Sequence, residues 1–103
     1  MAIGHIAEHH TGERDQYARV MEHVRTTGPV PPEGARLVLS GTTDPGWKVI
    51  TVWDSRDDVD RFFAERLRPA YEAAGLSLDD VKRTFFEVNG LVAGDLTGAP
   101  QPA

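Results

Sequence analysis

Alternating apolar and polar positions mark four short stretches of the chain, and a three-to-four-residue apolar spacing marks two longer ones. Ala2 to His9 alternates, with Ile3, His5, Ala7 and His9 on one side and Gly4, Ile6 and Glu8 on the other, which predicts a strand. From about Glu13 to Thr26, Tyr17, Val20, Met21 and Val24 fall at i, i+3, i+4 and i+7, the stripe of a helix. Gly28-Pro29-Val30-Pro31-Pro32 then ends regular structure, because each Pro removes a backbone donor and fixes φ. Ala35 to Ser40 reads as the second strand, and Gly41 to Gly46 as a hairpin turn into a third over Trp47 to Trp53. In that third strand Trp47, Val49, Thr51 and Trp53 share one side and Lys48, Ile50 and Val52 the other, so both sides read as largely buried.

Asp54 and Ser55 stop the third strand, and Ser55 with Asp58 has the spacing of a capping box. The helix that follows carries Val59, Phe62, Phe63, Leu67 and Ala70 on one face, and Gly75 supplies its left-handed end. Pro69 clashes with the carbonyl of Glu65, so a bend or break is expected between Glu65 and Ala70. Ser77 to Asp80 reads as one capped turn and Lys82 to Asn89 as the fourth strand. One domain is expected over residues 1–96, with residues 91–96 crossing onto a partner and residues 97–103 forming a mobile tail.

The order is therefore βαββαβ, an α+β ferredoxin-like sandwich with a four-stranded antiparallel sheet and two helices on one face. Its other face is left bare and carries Ile50 and Val52. An apolar face of that kind predicts a sheet-to-sheet homodimer.

Composition narrows the function classes. A chain of 103 residues holds a single core. The net charge of −5, without a basic stripe, argues against nucleic-acid and anionic-membrane partners. With no Cys, disulfides and thiolate chemistry are excluded, in keeping with a cytoplasmic protein. The first ten residues lack the basic and apolar regions of a signal peptide or anchor. Arg outnumbers Lys nine to two, a usage that points to a GC-rich bacterial genome.

Chemistry is expected from few groups. His5 and His9 on one strand stand roughly 13 Å apart, too far to share an ion, and no other ligand set exists, so no metal is expected. His5 reads as buried, and His9, His10 and His23 as solvated polar residues. Arg66 falls on the apolar face of the second helix and needs a partner. Two alternatives stand: a structural carboxylate, Glu8 or Glu87, or an anionic ligand. Trp53, Phe62 and Tyr71 are candidates to line an apolar cavity beside it, or simply to fill the core.

A strand ending Val52-Trp53-Asp54-Ser55, then a helix with the pair Phe62-Phe63 and a later Arg66-Leu67-Arg68-Pro69, resembles the dimeric α+β barrel superfamily. The likeness is to its antibiotic-biosynthesis-monooxygenase branch and the small uncharacterised relatives of that branch. The resemblance implies a homodimer that takes an aromatic or polyketide-like metabolite without a cofactor. Trp53 matches the pocket Trp of the quinone-forming enzymes, whereas their pocket Asn and Tyr correspond to Val49 and Val59. In the haem-degrading relatives a Trp and an axial His stand where this chain has Phe62 and Glu72, which argues against haem. In the implied chemistry a base, His5 or His9, deprotonates a phenol or activated carbon, and Arg66 stabilises the anion. The same residues allow two alternatives, an isomerase or cyclase and a non-catalytic binding or accessory dimer.

Overall fold

The computed structural model describes residues 2–92 and 94. The expected tail, residues 97–103, and half of the expected crossing segment, residues 93, 95 and 96, lie outside the described residues. Four strands, β1 (Ile3–His9), β2 (Ala35–Thr42), β3 (Trp47–Trp53) and β4 (Val81–Glu87), form one antiparallel sheet in the order β2-β3-β1-β4. Between β1 and β2 runs α1 (Arg14–Thr27). Between β3 and β4 run α2 (Arg56–Phe62), a π-helical turn (Phe63–Leu67), α3 (Arg68–Ala73) and a short 3-10 turn (Leu78–Asp80). This is the ferredoxin-like βαββαβ arrangement.

Register sorts the strand residues into two faces. His5 stands opposite Thr51 and Phe85, Ala7 opposite Val49 and Arg83, and His9 opposite Trp47 and Val81, all on the face under the helices. There Trp47, Trp53, Tyr17, Val20, Val59, Phe63, Leu67 and Tyr71 form the core. On the open face Leu39, Ile50 and Ile6 make one row across the sheet, and Leu37, Val52, Gly4 and Phe86 another. A Cβ on Gly4 would fall inside the Phe86 ring, so glycine there lets that ring lie across the sheet. The third row, Gly41, Lys48, Glu8 and Lys82, is charged.

Local chemistry explains the boundaries. At the start of α1, Gln16 Oε1 accepts from the Glu13 amide at 2.9 Å. The Ser55 hydroxyl accepts from the Asp58 amide at 3.2 Å and donates to the Asp58 carboxylate at 3.0 Å. The expected Ser55 cap thus forms, with the reciprocal bond made by hydroxyl and carboxylate. The expected turn at 41–46 is shorter, because Gly41 and Thr42 still pair with Lys48 and Trp47.

The expected break near Pro69 takes the form of the π turn, which begins at Phe63. Its last bond runs from the Arg68 amide to the Phe63 carbonyl, five residues back. The wider winding accommodates Pro69 in the first turn of α3, where a missing donor costs least. It also keeps Val59, Phe63, Leu67 and Tyr71 facing the sheet, although they are spaced four apart. In a regular helix that spacing drifts by about 40° per step.

Candidate functional site

Two aromatic-walled histidines stand on β1, on either side of Ala7. The first is His5, 2% exposed. Phe63 meets its ring edge-on at 5.1 Å between centroids, and Phe85 lies tilted at 4.5 Å. The Arg83 guanidinium donates from Nε to His5 Nε2 at 3.1 Å. Since guanidinium cannot accept, Nε2 is unprotonated and the ring proton of neutral His5 sits on Nδ1. Burial, and then the charges of Arg83 and Arg56 against an opposing pull from Asp60, lower the His5 pKa to about 4.

Arg83 is itself enclosed by aromatics, 3.8 Å from the Phe63 centroid and 5.1 Å from that of Phe85, and burial lowers its pKa. Its Nη2 lies 3.9 Å from Asp60, which also pairs with Arg56 at 3.4 Å. The Arg56 guanidinium stands 3.6 Å from the Phe85 centroid. Below, Trp53 Nε1 donates to Thr51 Oγ1 at 2.7 Å, and Phe62 packs on Trp53 at 5.5 Å.

The second histidine, His9, is 1% exposed, not solvated as the sequence led us to expect. It stacks parallel on Trp47 at 4.3 Å, and the β1 register that turns His5 inward turns His9 inward too. Burial lowers its pKa. Its Nε2 lies 3.4 Å from the Thr11 hydroxyl, and its Nδ1 has no partner among the described residues. Tyr71 stands beside it, accepting from Trp47 Nε1 at 3.2 Å, and burial pushes the Tyr71 phenol up to about 12. Tyr71 therefore belongs to the His9 cluster while Trp53 and Phe62 belong to the His5 end. Among the described residues the three do not line one cavity together, and Trp53 and Tyr71 follow the other alternative, filling the core at 1% and 4% exposure.

Arg66 takes partners other than those expected, while its Nε stays buried without one among the described residues. Its Nη1 donates to the Pro29 carbonyl at 2.7 Å and its Nη2 to the Val24 carbonyl at 2.5 Å. It caps the C-terminal end of α1 and holds the proline loop, in place of an ion pair with Glu8 or Glu87. Gly28 makes room for it, because a Cβ there would approach the guanidinium carbon to 2.8 Å. The adjoining hollow, about 110 Å³, lies between Pro29, Pro32, Phe62 and Glu65 and not between helix and sheet. Arg66→Met is accordingly expected to lower stability by about 1–2 kcal/mol, the cost of carbonyls left partly unpaired, while leaving aromatic-ligand affinity unchanged. Thermal melts beside calorimetric titrations check both halves.

Sequence reasoning missed Arg83. The available signal was the alternation of β4, which puts Val81, Arg83 and Phe85 on the helix side, with Arg83 diagonal to His5. Among the described residues no group of three His, Asp or Glu is placed to hold a metal ion, and no helix is long and apolar enough to cross a membrane.

No family profile and no curated protein sequence matches the chain. Solved structures do, among them a dimeric ferredoxin-like protein of unknown function from Jannaschia. Rv0793 from Mycobacterium tuberculosis superposes with a TM-score of 0.64 at 13% identity, over 90% of this chain and 100% of that one. A candidate antibiotic biosynthesis monooxygenase from Chloroflexus aurantiacus gives 0.60 at 17%, over 91% and 100%. A point mutant of SnoaB, a cofactor-independent oxygenase from Streptomyces nogalater, gives 0.56 at 16%, over 90% and 97%.

Proposed function

Starting from a chain with the fold of the dimeric α+β barrel superfamily, we propose a small cytoplasmic homodimer that binds an apolar aromatic or polyketide-like metabolite at the His5–Arg83 end of the sheet and oxygenates it without a cofactor. The observation that carries this reading is the His5–Arg83 pair, a neutral imidazole and a guanidinium 3.1 Å apart inside an aromatic layer. His5 takes the proton of a phenol, and Arg83 holds the phenolate. The anion-stabilising role expected for Arg66 thus passes to Arg83, and His5 is preferred to His9 as the base because it has a cation beside it. For a naphthol the balance is one substrate and one O₂ to one naphthoquinone and one water. One oxygen atom enters the ring and the other leaves as water. The apolar rows of the open sheet face supply the dimer contact, and the dimeric Jannaschia structure shares the fold.

A second reading, a non-catalytic binding dimer, is favoured by Val59. At 0% exposure it is a plain core residue where the oxygenases carry a pocket Tyr. Oxygen uptake with 1-hydroxy-2-naphthoate, a naphthol that carries its own anionic oxygen, separates the two. Oxygenation predicts one O₂ per quinone formed, with kcat reduced about 10²–10⁴-fold in His5→Gln. Arg83→Gln should weaken a phenolic ligand roughly ten- to a hundredfold. Tight binding with no uptake supports the second reading, and no binding of any aromatic removes both.

A further inference from the structure

We propose that Arg83 is a movable cap on His5, and that an anionic oxygen on an aromatic ligand is what draws it off. The inference rests on the aromatic-ligand reading above and adds how the base is held out of use until the right ligand arrives. The Nε2 lone pair that would receive a substrate proton already accepts from Arg83. A phenol reaching His5 finds no free acceptor there while the cap is on.

The cap is placed to move. Exposure rises outward, from 2% at His5 through 30% for the Arg83 side chain to 55% for that of Asp60. On its outer side Arg83 has one carboxylate, Asp60, at the long distance of 3.9 Å, and Arg56 holds that same carboxylate more closely. Two guanidiniums share one carboxylate beside Phe85, so an incoming oxyanion meets an uncompensated positive charge. A charge-assisted, bidentate bond to that oxyanion is stronger than the bond Arg83 makes to a neutral imidazole. The ring face of Phe63 stays available as a sliding surface for the planar group.

The exchange has a defined consequence for His5. The charged groups shown to act on it are Arg83 from β4 and Arg56 and Asp60 from α2; Thr51 of β3 and Phe63 of the π turn bring none. Both arginines lower its affinity for a proton. Moving Arg83 onto an anion frees Nε2, cancels one of those charges and so raises the pKa from about 4 toward the ordinary value. Burial, the larger cause, keeps it from returning fully.

The test is an NMR titration of the His5 imidazole, assigned with His5→Gln, in the free protein and with two probes. The first is 1-hydroxy-2-naphthoate, whose carboxylate is ionised throughout; the second is neutral 1-naphthol. The expected result is a His5 midpoint raised by about one pH unit, tenfold in proton affinity, in Arg83→Gln and in wild type with hydroxynaphthoate. With bound naphthol it should stay within a few tenths of the free protein. If both probes bind and neither moves the midpoint, or both move it alike, the cap is overturned while the aromatic-ligand reading stands. If neither probe binds at millimolar concentration, the aromatic-ligand reading fails and the ligand-driven release fails with it. An Arg83→Gln protein whose His5 titrates as in wild type removes the cap by itself.

Discussion

Ile50→Asp is expected to turn a dimer into a monomer. Ile50 stands in the middle of the open sheet face, between Leu39 and Ile6 across the strands, with the Val52 row beside it. Leu39 at 58% and Phe86 at 43% exposure mark this as surface that the single chain does not cover. A sheet-to-sheet contact is isologous, so one substitution places two carboxylates in the same buried seam. Each loses hydration without gaining a partner, which costs several kcal/mol per ion. Dimer affinity should fall at least about a thousandfold, a scale at which light scattering at micromolar concentration reports the monomer mass. The fold of the variant should persist, because Ile50 points away from the helices. Lys48→Ala, in the charged row of the same face, should leave the dimer intact. A wild-type monomer, or an Ile50→Asp dimer, would end the argument from the bare face.

The faces were legible because a strand's side-chain period is two, and nothing in this sheet shifts it except an irregularity at Ala35/Leu37. That is why Trp47 through Trp53 divide correctly on the sequence alone. His9 was given the right side by the same rule and still read as solvated, because it is polar. It lies two and four residues from inward-facing Ala7 and His5, so its place in the pattern outweighed its polarity. The π turn was half legible: Pro69 signalled a disturbance, while the four-residue repeat Val59, Phe63, Leu67, Tyr71 would have placed its start. Arg66 was read correctly as a cation needing a partner. Its partners are backbone carbonyls of a helix end 42 residues away and of the loop 37 residues away in sequence, and side-chain spacing carries no information about those. Arg83 stayed hidden because a lone Arg in an otherwise ordinary strand becomes chemistry only when the register sets it diagonal to a buried His.

Gly46→Ala should be among the most damaging single-methyl changes available in this chain. Gly46 has φ 93°, in the left-handed region, so any L side chain is strained there by about 1–2 kcal/mol. Space compounds the strain, because a Cβ at this position would fall inside the carbonyl oxygen of His9. That oxygen is backbone, fixed where His9 pairs with both Trp47 and Val81, so no rotamer change relieves the clash. The Gly46 carbonyl also closes the hairpin by accepting from the Thr43 amide at 2.9 Å, which ties the residue down on its other side. Overpacking against rigid neighbours adds about 1–3 kcal/mol. Together the loss is about 2–5 kcal/mol, set against the ~5–15 kcal/mol that holds a typical domain together. The melting temperature should fall by roughly 10–30 °C. Gly41→Ala is the matched control: its φ is not positive and its Cβ meets nothing within 4 Å, so its melting temperature should stay within a few degrees of wild type. Gly12→Ala should fall between the two, since its φ is 100° but its Cβ meets the Trp47 ring edge at 2.9 Å and a side chain yields more than a backbone oxygen. Thermal melts of the three variants check the order. Gly46→Ala melting within a few degrees of Gly41→Ala would show that the hairpin and the end of β1 do not press together as described, and that the His9–Trp47 stack is looser than its geometry.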